Sequence, residues 1–326
     1  MVEKKQIFKN KKFYYRRAKW NDQGKQSLEV FLIEAHKTLD TVGKRTFKAS
    51  SGTEIRGASL KDNHGLYLQI ASYVPGEATS IIDKNKLNTQ SSITAQSAPE
   101  GKDYLDGEVF VYIKDNHVIL CPSGARETVV EAYILHILNA VENKDIAKSF
   151  ELDKVAKTDK LRMIKDEGVK EIDLNTSLYE ASLIHMDKNN PKVSDFKKSL
   201  ANHFSAIFSK DMDLKDITEK ENLNVKVTIK LDGMEARRNS KDLEFGKIGK
   251  QRLERTAEQV IAEFDGENQN GFVIVTGAGN RITSDEIRVS DSFRIETLGK
   301  SLKKSATWTK LKEYHDRLDA DGVFKQ

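Results

Sequence analysis

The segment that most constrains the fold is Val109-Phe110-Val111-Tyr112-Ile113, followed by Lys114-Asp115-Asn116 and then His117-Val118-Ile119-Leu120. Two β-branched and aromatic runs joined by a short polar connection read as an antiparallel β-hairpin. Pro122-Ser123-Gly124 ends the second run, and Glu127, Val130, Ile134, Ile137 and Val141 then recur every three or four residues. That spacing predicts a helix over 125–142, apolar enough to belong to a core. A hairpin feeding a core helix requires sheet and helix to pack together.

The rest of the chain extends the pattern. Residues 11–20 read as a first strand, 27–39 as a helix or strand–helix element, and 65–71 as a strand. The polar stretch 43–64 reads as a loop, and 88–101, rich in Ser, Thr, Gln and Ala, as a mobile surface loop. A strand pair is expected over 170–186 and a helix through Phe196, Leu200, Phe204, Ile207 and Phe208. Val225–Leu231 alternates as a strand, 247–264 reads as a second amphipathic helix, and 306–320 as a helical tail. Segments 271–276 and 281–296 read as paired strands, with Gly277-Ala278-Gly279-Asn280 as the turn. No internal repeat is visible. The order predicts an α+β fold with mixed or antiparallel sheets and packed helices, in two domains spanning 1–150 and 151–326.

Several function classes lack a signature. The glycines of 277–280 have neither the third glycine of a dinucleotide fingerprint nor the Gly-Lys-Ser/Thr of a P-loop. The seven histidines are scattered and there is one cysteine, Cys121, so no zinc pattern and no intrachain disulfide arise. No apolar run approaches the ~20 residues that cross a bilayer, and no signal-peptide core follows the basic start. These absences predict a cytoplasmic protein that is not an enzyme and needs no cofactor or metal. A metal-dependent nuclease is the catalytic alternative. Its nearest carboxylates would be Asp103, Asp106 and Glu108 with Lys114, or else Asp285, Glu286 and Asp291.

Charge is the strongest positive signal. The formal net charge is only +4, but it is unevenly distributed. Nine Lys and Arg face two acids in residues 1–25, including Arg16 and Arg17 beside Phe13, Tyr14, Tyr15 and Trp20. A second basic segment holds Arg237, Arg238, Lys247, Lys250, Arg252 and Arg255, and a third covers Lys300, Lys303, Lys304, Lys310 and Lys312. Separated segments of this kind converge into a field that attracts phosphates even at low net charge. The candidate DNA contacts are the six residues of the second segment, flanked by Arg16, Arg17, Lys300, Lys303 and Lys304. A non-enzymatic protein-interaction module is the reading left if they are only solvated faces.

Several segments, in order, resemble the RexA family of phage-exclusion proteins of lambdoid prophages. They are Phe13–Arg17, Ser27–Leu32, Gly65–Leu68, the 109–120 hairpin, the helix after Gly124, Val225–Ile229, the basic helix before Val260-Ile261, and Ile282–Asp285. Relative to that family, 43–64 and 88–106 look like insertions. The resemblance implies a homodimer that binds double-stranded DNA without marked sequence preference. It also implies a role in abortive infection, sensing the phage and signalling to a RexB-like membrane channel. A more remote fold-level likeness is to RdgC, which encircles duplex DNA. No family motif marks DNA-contact residues, so the contacts named above rest on charge and position.

Overall fold

The computed structural model describes residues 6–20, 26–49, 51–84, 87, 89–141, 144–177, 224–231, 243–263 and 271–325. In chain order the elements begin β1 (Phe8–Lys19), α1 (Leu28–Thr38), β2 (Thr46–Lys48), β3 (Glu54–Asp62), β4 (Leu66–Tyr73), β5 (Thr79–Ile82) and β6 (Ile93–Gln96). Next come β7 (Gly107–Lys114), β8 (His117–Ser123), α2 (Thr128–Ala140), α3 (Lys144–Ser149), β9 (Glu151–Lys154), α4 (Thr158–Glu167) and β10 (Val169–Ser177). The last are β11 (Asn224–Lys230), α5 (Leu243–Glu263), β12 (Phe272–Thr276), β13 (Arg281–Thr283), α6 (Ser284–Ile287), β14 (Ser290–Leu298), β15 (Ser301–Leu302) and α7 (Lys304–Ala320). This is an α+β fold, and every pairing between these strands is antiparallel.

The chain divides into two units, Met1–Val155 with Ser290–Gln326, and Ala156–Val289. The division differs from the expected 1–150 and 151–326. The reason lies in β14, which pairs from Phe8↔Glu296 to Tyr14↔Ser290 along β1 and so returns the C-terminal segment to the first unit. Hydrogen bonding between strands far apart in sequence outweighs chain proximity here.

The first unit is built on a nine-stranded sheet in the order β15-β14-β1-β8-β7-β4-β3-β2, with β9 also pairing β1. The predicted hairpin is its centre: β7 and β8 pair from Val109↔Pro122 to Lys114↔His117. All of Val109–Ile113 is buried, because both sheet faces are covered. One face carries Val109, Val111, Ile113, Leu66, Leu68 and Leu120 against Leu28 and Leu32 of α1 and Val130, Ile134 and Ile137 of α2. On the other, rings of α7 meet rings of the sheet, Tyr314 with Phe13, His315 with Tyr112 and Trp308 with Tyr67. Ser27 caps α1, its Oγ accepting from Val30 N.

Two expectations within this unit fail for the same reason. The stretch 43–64 contains β2 and β3 rather than a loop, and 88–101 contributes β6, which pairs with β5. Neither shows clean alternation, because an outer strand buries little: Ile55 is inside, while Leu60, Ile82 and Ile93 are exposed. In β3 a bulge between Gly57 and Ser59 also breaks the period. A Cβ on Gly57 would lie 2.1 Å from the Tyr133 hydroxyl, so only glycine lets that ring reach the sheet here.

The second unit holds a four-stranded sheet, β11-β10-β12-β13. Ile172, Leu174, Phe272, Ile274 and Ile282 of the sheet pack on Leu253, Ala257, Val260 and Ile261 of α5, with Ile164 of α4. The turn at 277–280 forms as expected, with Gly279 at φ +91° and Thr276 N donating to Asn280 O at 2.9 Å. The expected strand over 281–296 is instead three elements. Thr283 and Glu286 form a reciprocal capping box that starts α6 after β13, and the chain then leaves for β14. The second strand expected within 170–186 and the helix through Phe196–Phe208 lie outside the described residues. Among the described residues no helix is long and apolar enough to cross a membrane.

Candidate nucleic-acid interface

The basic residues singled out by sequence meet different fates. Arg237 and Arg238 lie outside the described residues, and of Lys247 only the backbone, within α5, is described. Lys250, Arg252 and Arg255 are exposed on α5. Helical spacing turns Arg252 and Arg255 together, away from the face that buries Leu253, Ala257 and Val260. Among the described residues they form no ion pair.

Arg16 is a correction. Its side chain lies inside the first unit, where Nη2 donates to Glu127 Oε2 and Nη1 to the Tyr15 carbonyl at 3.0 Å. A side chain only 5% exposed has no edge to offer a phosphate, so Arg16 leaves the set of DNA contacts. The period-2 pattern of β1 sends it to the α2 side of the sheet, whatever its charge. Arg17 is half-buried, its Nη2 donating to the Phe324 carbonyl at 3.4 Å.

Lys300, Lys303 and Lys304 are all exposed around the short connection from β14 through β15 to α7. Lys300 occupies the β14–β15 turn. Lys303 Nζ pairs with Glu296 Oε2 at 2.7 Å, and Lys304 Nζ donates to Ser59 Oγ at 3.2 Å. The first turn of α7 contains no acidic residue to cancel these charges.

Sequence reading put Lys312 in one basic segment with Lys304 but missed their other neighbours, Lys61, Tyr67 and Trp308. A cleft of about 510 Å³ opens in the first unit between α7 and the β3–β4 strands, lined by Lys61, Tyr67, Lys304, Trp308, Lys312 and Asp316 among others. Trp308 is fixed by its indole N–H, which donates to the Leu68 carbonyl at 3.2 Å. Its ring centroid lies 5.6 Å from that of Tyr67. Lys304 Nζ sits 5.4 Å from the Trp308 ring, and Lys61 Nζ 5.4 Å from the Tyr67 ring. Lys312 is paired with Asp316, whose hydrogen bond raises the lysine's pKa, and burial raises that of Tyr67. The spacing of 304, 308 and 312, one helical turn each, could have revealed this face; the arrival of Lys61 from β3 could not.

Most of the carboxylates weighed for metal chemistry have structural partners. Glu108 is buried, with Oε1 accepting from Ser301 Oγ and from Leu302 N at 2.9 Å and Oε2 accepting from Gln69 Nε2 at 2.7 Å. Asp103 accepts from Gly76 N, Glu286 belongs to the capping box, and Asp291 pairs with Arg317. Among the described residues no group of three or more His, Cys, Asp or Glu is placed to hold a metal ion. Burial pushes the Cys121 thiol up to about 12, which keeps it protonated at neutral pH.

A scan against protein-family models matches none, and a search of curated proteins finds no significant similarity to this chain.

Proposed function

We propose that this protein binds double-stranded DNA through its phosphates, without marked sequence preference, and acts in phage exclusion. In this reading it works in the cytoplasm as a homodimer and passes the infection signal to a membrane-channel partner of the RexB kind. The observation that carries the DNA-binding part is the pair Arg252 and Arg255, side by side on the open face of α5 with Lys250 nearby. Guanidinium groups so placed match phosphate oxygens in a fork, and each phosphate neutralised releases counterions. The exposed lysines at 300, 303 and 304 add a second basic surface on the other unit. The biological role rests on the resemblance of the order of segments to the RexA family.

The test is binding of the full chain to two unrelated duplexes of equal length, titrated with salt, with and without Mg²⁺. Equal affinities are expected, with a log–log salt slope of about −0.9 per phosphate neutralised, and intact DNA throughout. Absence of binding at low salt would overturn the reading in favour of a protein-interaction role. Loss of full-length DNA only with Mg²⁺ would replace it with a nuclease.

A further inference from the structure

Lys61, Tyr67, Lys304, Trp308 and Lys312 bring together two aromatic rings and three ammonium groups in one cleft. Phosphate contact on a smooth duplex requires no aromatic wall and no depth. Two features set this cleft apart from an ordinary charged surface. Lys61 and Lys304 each fold over a ring, and among the described residues neither faces a carboxylate within ion-pair distance. The cleft's two carboxylates, both on α7, are already engaged, Asp316 with Lys312 and Glu313 with Lys310.

We propose that this cleft holds a nucleotide: a base stacked at Trp308, with its phosphate between Lys61 and Lys304. The choice of a nucleotide over another aromatic anion rests on the nucleic-acid reading above. The chemistry of each part fits. An ammonium resting on a π-face costs little to swing toward a phosphate, and its departure uncovers the ring for a base. Every base has such a face, so recognition tolerates any sequence. The Ser305 and Thr309 side chains on the same wall supply hydroxyls for the sugar or base edge. The Trp308 indole, tethered to Leu68, is oriented before the ligand arrives and loses little freedom on binding. In a duplex the base faces are stacked and closed, so the cleft takes an unpaired nucleotide, from a single strand or free in solution.

The full chain would be titrated with a short oligothymidylate, with thymidine monophosphate, and with a duplex of matched length. Tryptophan fluorescence and anisotropy report binding. The oligothymidylate is expected to quench fluorescence, and Trp308→Leu to weaken it about tenfold or more. Because Trp308→Leu also removes a tether, Lys61→Gln and Lys304→Gln serve as surface variants, each expected to weaken the single strand severalfold. Duplex affinity should fall in Arg252→Ala with Arg255→Ala and hold in Lys61→Gln. Quenching by the monophosphate at similar affinity would identify a free nucleotide as the ligand, and quenching by the oligomer alone a single strand. Unchanged single-strand and monophosphate binding in both lysine variants and in Trp308→Leu, or no binding of either, would overturn the cleft assignment. Single-strand binding without duplex binding would leave the cleft standing and remove the duplex reading.

Discussion

In β1, Arg16 lies between sheet and helix against Glu127, while at the start of α7 Lys304 lies at the surface over the ring of Trp308. Both come from basic-aromatic stretches that look alike in the sequence. The first stretch folds as a sheet strand covered on both faces, so alternate residues go inside and a cation there needs a buried counter-ion. The second begins a helix on the outer face of the same sheet, so its lysines keep their hydration and remain available to a ligand. Secondary structure and layer, more than charge, decide which basic residue can bind.

The largest effect expected from this contrast is on stability. Arg16→Ala should destabilise the protein by about 3–5 kcal/mol, because it leaves the Glu127 carboxylate buried without the guanidinium. Urea unfolding would show it as a lower midpoint. Replacing both partners, Arg16→Met with Glu127→Leu, should recover most of the loss. A single Arg16→Ala variant of unchanged midpoint and weakened DNA affinity would break the comparison.

His36 sharpens the same point in the same layer. Its Nε2 meets the Tyr133 hydroxyl at 2.9 Å and its Nδ1 the Leu32 carbonyl at 2.6 Å, with no counter-ion among these contacts. Burial above all lowers its pKa to about 4, against 6.5 for the ordinary side chain. The unfolded chain therefore binds more protons between those values. The stability is present above pH 6.5 and is lost as pH falls toward 4. From pH 7.5 to pH 5 this residue alone should cost about 2 kcal/mol. His117, lowered to about 4 chiefly by burial, acts in the same direction. Unfolding curves at the two pH values should converge partly in His36→Phe, whatever that variant's absolute stability.

On the exposed side, effects move from stability to binding. Arg252→Ala with Arg255→Ala should leave the unfolding midpoint nearly unchanged and flatten the salt slope of duplex binding by about 2. The loss should be equal on unrelated duplexes; a loss on one sequence only would count against phosphate contact. Smallest of all is Lys310→Ala, which removes an exposed pair with Glu313 worth about 0.5 kcal/mol or less. A midpoint shift near that of Arg16→Ala would mean that burial is not what separates the two kinds of cation.

Legibility from sequence follows burial. The β7–β8 hairpin, α2, α5 and the turn at 277–280 were legible because their apolar periods are complete or their glycine chemistry is local. The strands β2, β3, β5 and β6 were not, since outer strands bury too few side chains to imprint a period. Helix α6 was missed because it is one turn long, although Thr283 and Glu286 stand three apart as a capping box requires. Of the candidate contacts, Lys250, Arg252, Arg255, Lys300, Lys303 and Lys304 are on the surface as expected, and Arg16 is not.

The sequence alone determined the α+β class, the central hairpin and the helices that pack by their apolar stripes, because those depend on periodicities shorter than one element. Only the tertiary structure decided that β14 returns to β1, that Arg16 meets Glu127, and that Lys61 joins Lys304 and Trp308 in one cleft. Each of those brings together residues more than one hundred positions apart, and nothing in a local period encodes which distant strand will supply the hydrogen bonds, the counter-ion or the second lysine.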